Sequence, residues 1–334
     1  MATLASNYLN LIDVHKQADP KIGEVIEVLK QQNPILDDAV AMECNMGATH
    51  RHVIRTGLPT PSWGRLYQGI PQSKSQTQQV DDTTGFLEAR SGVDTRVLDI
   101  SKNPAALRLG EAQSHLEAMN QEMATGMFYH DTATTPEKFK GLAARFNTIG
   151  GGAAGNQIVD GGGTGSDNTS IWMVTWGDHA CHLLYPDGSR AGVNRQDKGE
   201  QRVTDENGNA YYVKEETFTW HMGMAVKDWR YVSRVANIDV SEMLAGNVDL
   251  YALMRKAFYK LQSRRMDAKT SRIAIYCNRD VMEALDGLAV GNGSGANGAL
   301  RLTPREIEGR EVMTYRGIPI RETDALINTE ARVV

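Results

Sequence analysis

The sequence predicts an α+β fold, and three stretches carry that prediction. Residues 50–92 read as a long polar hairpin, and residues 104–129 as one long helix opened by proline. After residue 170 the texture is mostly strand as far as 240, and from Leu250 helices return. A thin two-stranded arm has too little apolar surface to build a core of its own. A loop of that length is usually functional, so an arm followed by a rigid helix suggests a protein that lays part of itself on a neighbour.

Each element follows from local chemistry. Asp19-Pro20 supplies an N-cap and a helix-starting proline. Ile22, Val25, Ile26 and Leu29 then form one apolar face, and Asn33-Pro34 ends the helix. Residues 1–49 are accordingly an N-terminal arm. From 50 to 56 the residues alternate, with Arg51, Val53 and Arg55 on one side and His52 and Ile54 on the other, the period of a strand. Prolines 59 and 61 break it, residues 70–79 are almost purely polar, and residues 83–93 return as the second strand. Asn103 caps the long helix and Pro104 starts it. Leu109, Ala112, Leu116, Met119, Met123 and Met127 recur at steps of three and four. Reaching Tyr129, it would be about 39 Å long at the α-helical rise. Gly110 and Gly126 each cost about 1 kcal/mol relative to alanine, so packing must hold it. Residues 130–136 form a turn, and Phe139-Lys140-Gly141-Leu142 re-enters the body.

Beyond two glycine clusters, at 150–152 and 161–165, strands are expected at 171–176, 211–213, 218–221 and 231–236. Tyr185-Pro186-Asp187-Gly188 and Glu206-Asn207-Gly208 are turn signals between them. Leu250, Leu253, Met254, Ala257, Phe258 and Leu261 mark an amphipathic helix. A strand at 272–277 follows, Asn278 caps a further helix, residues 291–299 form a glycine loop, and a final hairpin turns at Arg316-Gly317.

Composition narrows the function. The chain has 334 residues, is 41% hydrophobic and 23% charged, and carries a formal net charge of -5. That balance argues against a dedicated nucleic-acid binder, which needs a basic surface, but is compatible with a wall that encloses nucleic acid without gripping it. Three dispersed cysteines, Cys44, Cys181 and Cys277, suggest a reducing compartment and no disulfide framework. No basic-then-apolar start suggests a signal peptide, and no apolar run is long enough to cross a membrane.

The motifs for chemistry are weak. Gly150, Gly152 and Gly155 fit G-x-G-x-x-G but lack the expected helix after them. Asp205, Asn207, Asn209 and Glu216 match a calcium loop at four positions, yet Ala210 stands where the sharp turn needs glycine. His179, Cys181 and His182 are the one tight metal-type cluster, without a fourth ligand in sequence. No catalytic arrangement and no cofactor is expected. Trp63, Arg65 and Tyr67 form an aromatic-basic patch on the arm, of the kind that anchors protein interfaces. With Arg51, Arg55 and Lys74 they are the candidate inter-subunit contacts.

In the order of these elements the chain resembles the major capsid proteins of tailed bacteriophages, with the Hong Kong 97-type fold. An arm (1–49), an extended loop (50–92), a long spine helix (104–129) and a short closing loop (130–142) follow one another as in that family. Leu183-Leu184-Tyr185-Pro186-Asp187-Gly188 and Val226-Lys227-Asp228-Trp229-Arg230-Tyr231-Val232 are similar to its podophage-type branch. The resemblance implies a peripheral domain over 93–245 and an axial domain with closing strands over 246–334. It departs from the usual order in one respect. The helix-strand-helix of the axial lobe, here 250–285, comes late, after β segments (178–237) that resemble the peripheral strands that usually close the chain, which implies rearranged connectivity. The resemblance further implies pentamers and hexamers of this chain forming an icosahedral shell around double-stranded DNA, without sequence-specific contact and without a membrane. Its partners would be a portal protein, a cement or decoration protein and, because only a short arm precedes the loop, a separate scaffolding protein. The place would be the phage head, assembled in the bacterial cytoplasm. A shape change on maturation would bend the spine, with Gly110 one place for it. Some relatives cross-link a loop lysine, here Lys74, but the sequence identifies neither an acidic catalyst nor a receiving asparagine. Two other readings stand beside it: a tail or decoration protein, and a metal-dependent hydrolase built on His179, Cys181, His182 and His221.

Overall fold

The computed structural model describes residues 31–205, 207–263, 272–291, 302–307 and 310–334. The helix expected at 22–29 and the glycine loop at 292–299 lie outside the described residues. Among the described residues, thirteen strands join one continuous sheet. Its centre is β5 (Asn168–Trp176), buried along its whole length. Antiparallel to it run β9 (Val232–Asp239) on one edge and β10 (Arg272–Cys277) on the other.

The alternation of these central strands divides the apolar interior in two. Trp172, Val174 and Trp176 of β5, Ala274 and Tyr276 of β10, and Val232 and Ala236 of β9 face one core. Ile171, Met173, Ile275, Cys277, Val235 and Ile238 face the other. The first core is covered by the C-terminal half of the long helix α3 (Pro104–Tyr129), through Met123, Ala124, Met127 and Phe128. The second is covered by α7 (Leu250–Lys260) and α8 (Arg279–Gly291), through Leu250, Met254, Ala257, Val281 and Leu285. Helices α3 and α8 are capped as their sequences predict. Asn103 Oδ1 accepts from Ala106 N–H, and Asn278 Oδ1 accepts from Val281 N–H. The closing hairpin β12 (Arg310–Tyr315) and β13 (Ile318–Glu322) also forms across Arg316-Gly317, with β13 parallel to β10.

The arm is a two-stranded ribbon. β2 (Thr49–Gly57) pairs with β3 (Gln76–Asp94) from Thr49 opposite Thr83 to Gly57 opposite Gln76. The second strand therefore starts at Gln76 rather than at residue 83. Polar residues 76–82 make ladder hydrogen bonds as well as apolar ones do, so the hydrophobic pattern did not mark them. From Thr84 onward β3 exchanges β2 for β8 (Ala210–Val226) and becomes part of the body. β8 is one continuous strand where two short ones are expected. Its outer neighbour β7 (Val193–Thr204) is exposed along nearly its whole length and carries no hydrophobic period to betray it.

The strands expected to group with the hairpin and spine divide. β6 (Cys181–Tyr185) and β7 lie with β8 and β3. β9 instead lends one face to each core.

The long helix departs from its predicted stripe at one end. Ala112 and Met119 pack on Phe218, but Leu109 is exposed. There the helix is held by Leu107 against Val93 and Leu98, the latter on the short helix α2 (Thr95–Ile100), which approaches from another side. The two helix glycines differ. A Cβ on Gly110 would meet nothing within 4 Å, whereas on Gly126 it would strike the His130 ring. The closing loop is equally tight, since a Cβ on Gly141 would lie 2.6 Å from Gly126 O. Gly141 N–H donates to His130 O at 2.8 Å, and Phe139 and Leu142 enter the core as expected.

The last residues of the chain clasp these parts together. Glu330 N–H donates to Asn168 O at 2.9 Å, and Ile149 N–H to Val334 O at 3.0 Å. Asn237 brackets Val333, donating to its carbonyl and accepting from its N–H, both at 2.8 Å.

Candidate assembly interface

The exposed ribbon collects the residues singled out from sequence, and they divide by role. Arg51 is committed within the subunit. Its Nε and Nη2 donate to the two carboxylate oxygens of Asp81 across the ladder, each at 2.8 Å. That forked contact holds the Asp81 carboxyl below its usual range and raises the arginine. Asn45 fastens the backbone of the same residue, donating to Arg51 O at 2.7 Å and accepting from its N–H at 2.8 Å. These bonds stiffen the ribbon near its root and close that part of the β2 edge to other strands.

Toward the tip the side chains point into solvent. Trp63 is 99% exposed and Tyr67 106%, the latter with φ of 63°, a value that costs a non-glycine residue strain. Gln68 N–H donates to Arg65 O at 3.3 Å and Ser73 Oγ to Thr60 O at 3.0 Å, so the tip is shaped by hydrogen bonds rather than by a core. Among the described residues Arg55, Arg65 and Lys74 meet no acidic partner. Sequence reasoning missed the other half of this surface, since Leu58, Leu66 and Ile70 are also largely exposed. A signal was present in the sequence. Residues 44–80 contain Arg51, Arg55, Arg65 and Lys74 and no aspartate or glutamate, in a chain whose net charge is -5.

Elsewhere the β7–β8 pair is anchored to the long helix. Glu216 of β8, nearly buried, accepts from Arg195 of β7 at 2.8 and 2.9 Å and from Arg108 of α3. Glu216 is therefore turned to two arginines rather than to a cation loop, and Asp205 caps its own turn by accepting from Asn207 and Asn209 N–H at 3.0 and 2.7 Å. The glycines at 150–155 lead only into a single helical turn, Gly152–Gly155.

The four side chains of the hydrolase reading do not converge. His179 is exposed near Asp178, Cys181 enters the first core, His182 leaves the opposite face of β6, and His221 lies beside Phe86 with ring centroids 5.8 Å apart. Among the described residues no group of three His, Cys, Asp or Glu side chains is placed to hold a metal ion. No helix among them is long and apolar enough to cross a membrane.

A family model described as major capsid protein GP7 matches residues 17–334. The chain belongs to that family. A chain of the bacteriophage Epsilon15 structure is 30% identical, with a TM-score of 0.77, and the match covers 100% of this chain and 99% of that one. More distant likenesses include the bacteriophage JBD30 capsid, at 10% identity, TM-score 0.49 and coverage of 90% and 93%. Another is the capsid of the native GTA particle, at 11%, 0.46, and 65% and 94%. No curated protein matches the chain. This GP7 family member thus has the α+β, Hong Kong 97-type capsid fold and is a major capsid protein that builds the shell of a bacteriophage head. The exposed ribbon is a feature of a subunit that self-assembles.

Proposed function

We propose that this capsid protein builds its shell from pentamers and hexamers in which the ribbon tip of each subunit lies on its neighbour. The observation that carries the reading is the row Leu58, Trp63, Leu66, Tyr67 and Ile70, exposed together on a ribbon with no core beneath it. Apolar surface left in water forgoes about 25 cal/mol per Å², so a second subunit is the natural cover. Arg55, Arg65 and Lys74 would set direction, since rim charges steer encounter more than they add affinity. Arg51 would act indirectly, by keeping the ribbon straight. Repetition of one modest contact around closed rings suffices for a stable shell.

The same reading assigns residues 1–49 to an arm, 50–92 to the extended loop, 93–245 to a peripheral domain and 246–334 to an axial domain. It places double-stranded DNA inside, held without sequence readout, and assembly in the host cytoplasm with a separate scaffolding protein, a portal and a cement or decoration protein. Resemblance to the wider capsid family supports these partners.

The test is a Trp63→Ser, Tyr67→Ser double variant, compared with the natural chain by electron microscopy and sedimentation. The subunit should fold with an unchanged melting temperature, because nothing buried is touched, and closed shells should be lost or become labile. Shells of normal yield and stability would refute the tip as a contact.

A further inference from the structure

Three imidazoles are buried together where the ribbon leaves the body. His50 and His52 turn inward from β2, and His182 rises from β6 beneath them. The rings of His50 and His182 meet edge to face with centroids 5.6 Å apart, and those of His50 and His52 lie 6.2 Å apart. His182 is wholly buried, His50 almost so, and the side chain of His52 is only 9% exposed. Both ring nitrogens of His52, and Nδ1 of His50, have no protein hydrogen-bond partner among the described residues, and the His182 ring has the Gly177 backbone beside it.

The charged groups around them balance. From β3 comes Asp82, opposite His50 in the ladder. Its Oδ1 accepts from Arg145 Nη2 at 2.7 Å, and its Oδ2 stands 3.8 Å from His52 Nδ1. Arg145 belongs to the short helix α4 (Leu142–Arg145). From the turn after β8 comes Lys227, whose Nζ donates to Asp178 Oδ1 at 2.8 Å, with exposed His179 beside that aspartate. Two acids and two bases are thus already paired, and the cluster is neutral only while its imidazoles are. Burial holds all three below the usual imidazole range, His182 down to about 4, and Lys227 adds to the effect at each. Protonation would place up to three cations where, among the described residues, Asp82 Oδ2 is the carboxylate oxygen left without a hydrogen bond.

The location decides what such repulsion would move. Among the described residues β2 is laddered only to β3, whereas β3 from Thr84 onward is locked to β8. Lifting the ribbon root away from β6 relieves the repulsion and leaves the central sheet intact.

We propose that His50, His52 and His182 form an acid-sensitive latch, which seats the ribbon root on β6 while neutral and releases it on taking up protons. The latch belongs to the single subunit and stands whether or not the tip is the assembly contact. Hydrogen exchange of the full chain, read by mass spectrometry at pH 7.5, 6.0 and 4.5 and corrected for chemical exchange rates, tests it. Protection of residues 49–57 should fall about tenfold or more by pH 4.5, the factor supplied by one unit of pKa displacement, while residues 168–176 stay protected. A His50→Gln, His52→Gln, His182→Gln variant should lose this pH response. Should the triple variant fail to fold, His52→Gln alone should make the response shallower. Unchanged protection of the natural ribbon at pH 4.5 would overturn the latch. So would parallel loss in β5, which reports whole-sheet unfolding, or a full pH response in the glutamine variants.

Discussion

Replacing Glu330 with alanine should destabilise the subunit by about 3–5 kcal/mol, the range for removing one partner of a buried ion pair. Glu330 and Arg234 are each 4% exposed at the side chain and meet at 2.8 Å. The carboxylate also accepts from the hydroxyls of Ser170 and Tyr129, so it joins the end of the long helix, β5, β9 and the chain's last residues. Burial, with the carboxylate beside it, holds the Tyr129 hydroxyl well above its usual range, so that group stays a donor. Without Glu330, Arg234 keeps its bonds to Phe146 O at 2.8 Å and Ser170 Oγ at 3.1 Å but loses the one anion bonded to it among the described residues. The stranded cation lies 4.8 Å over the Trp172 ring, a built-in fluorescence reporter. Urea unfolding of the subunit, followed by tryptophan emission, should show the midpoint falling with an unchanged slope. An Arg234→Met, Glu330→Leu double variant should recover most of the loss, because no charge is left buried. A loss below about 1 kcal/mol for Glu330→Ala, the value of a surface pair, would refute the clasp. A double variant no better than the single one would show that packing, not charge, is responsible.

Further expectations follow from close contacts and burial. Gly141→Ala would push a methyl against Gly126 O and His130 N and should cost about 1–3 kcal/mol in the same unfolding assay, whereas Gly110→Ala should be neutral or slightly stabilising. His182 has a pKa near 4 against an ordinary 6.5, so the unfolded chain takes up the proton first. Its contribution to the seated ribbon root is therefore full above pH 6.5 and fades as the pH falls toward 4, by roughly 3 kcal/mol in all, and a His182→Gln variant should show a flatter pH profile of amide protection at residues 49–57. Burial raises Cys44 and pushes Cys181 and Cys277 up to about 12, so a thiol reagent at neutral pH should find no fast-reacting cysteine in the native subunit and all three in urea.

The long helix was the most legible element, because Asn103-Pro104 sets its start and the apolar steps set its face. The strands at 272–277 and 318–322 were legible for a similar reason, each being a short run bounded by capping or turn residues. β7 and the polar start of β3 were not, since strands that bury neither face leave no period to read. Of the candidate contacts, Trp63, Arg65 and Tyr67 were visible by residue type, while Leu58, Leu66 and Ile70 were hidden because an isolated apolar residue in a loop ordinarily packs on its own body. Leu109 shows the converse, an in-phase helix residue left half exposed.

By itself the sequence determined the arm-and-spine plan, the caps, the turns and the absence of acid between residues 44 and 80, because each of these is written within a few neighbouring residues. Only the tertiary structure decided that His50, His52 and His182 share one buried site, that Glu330 closes on Arg234, and that β9 serves both cores. His50 and His182 stand 132 positions apart and Arg234 and Glu330 96, and partners at such distances are brought together by the pairing of distant strands, which local chemistry does not encode.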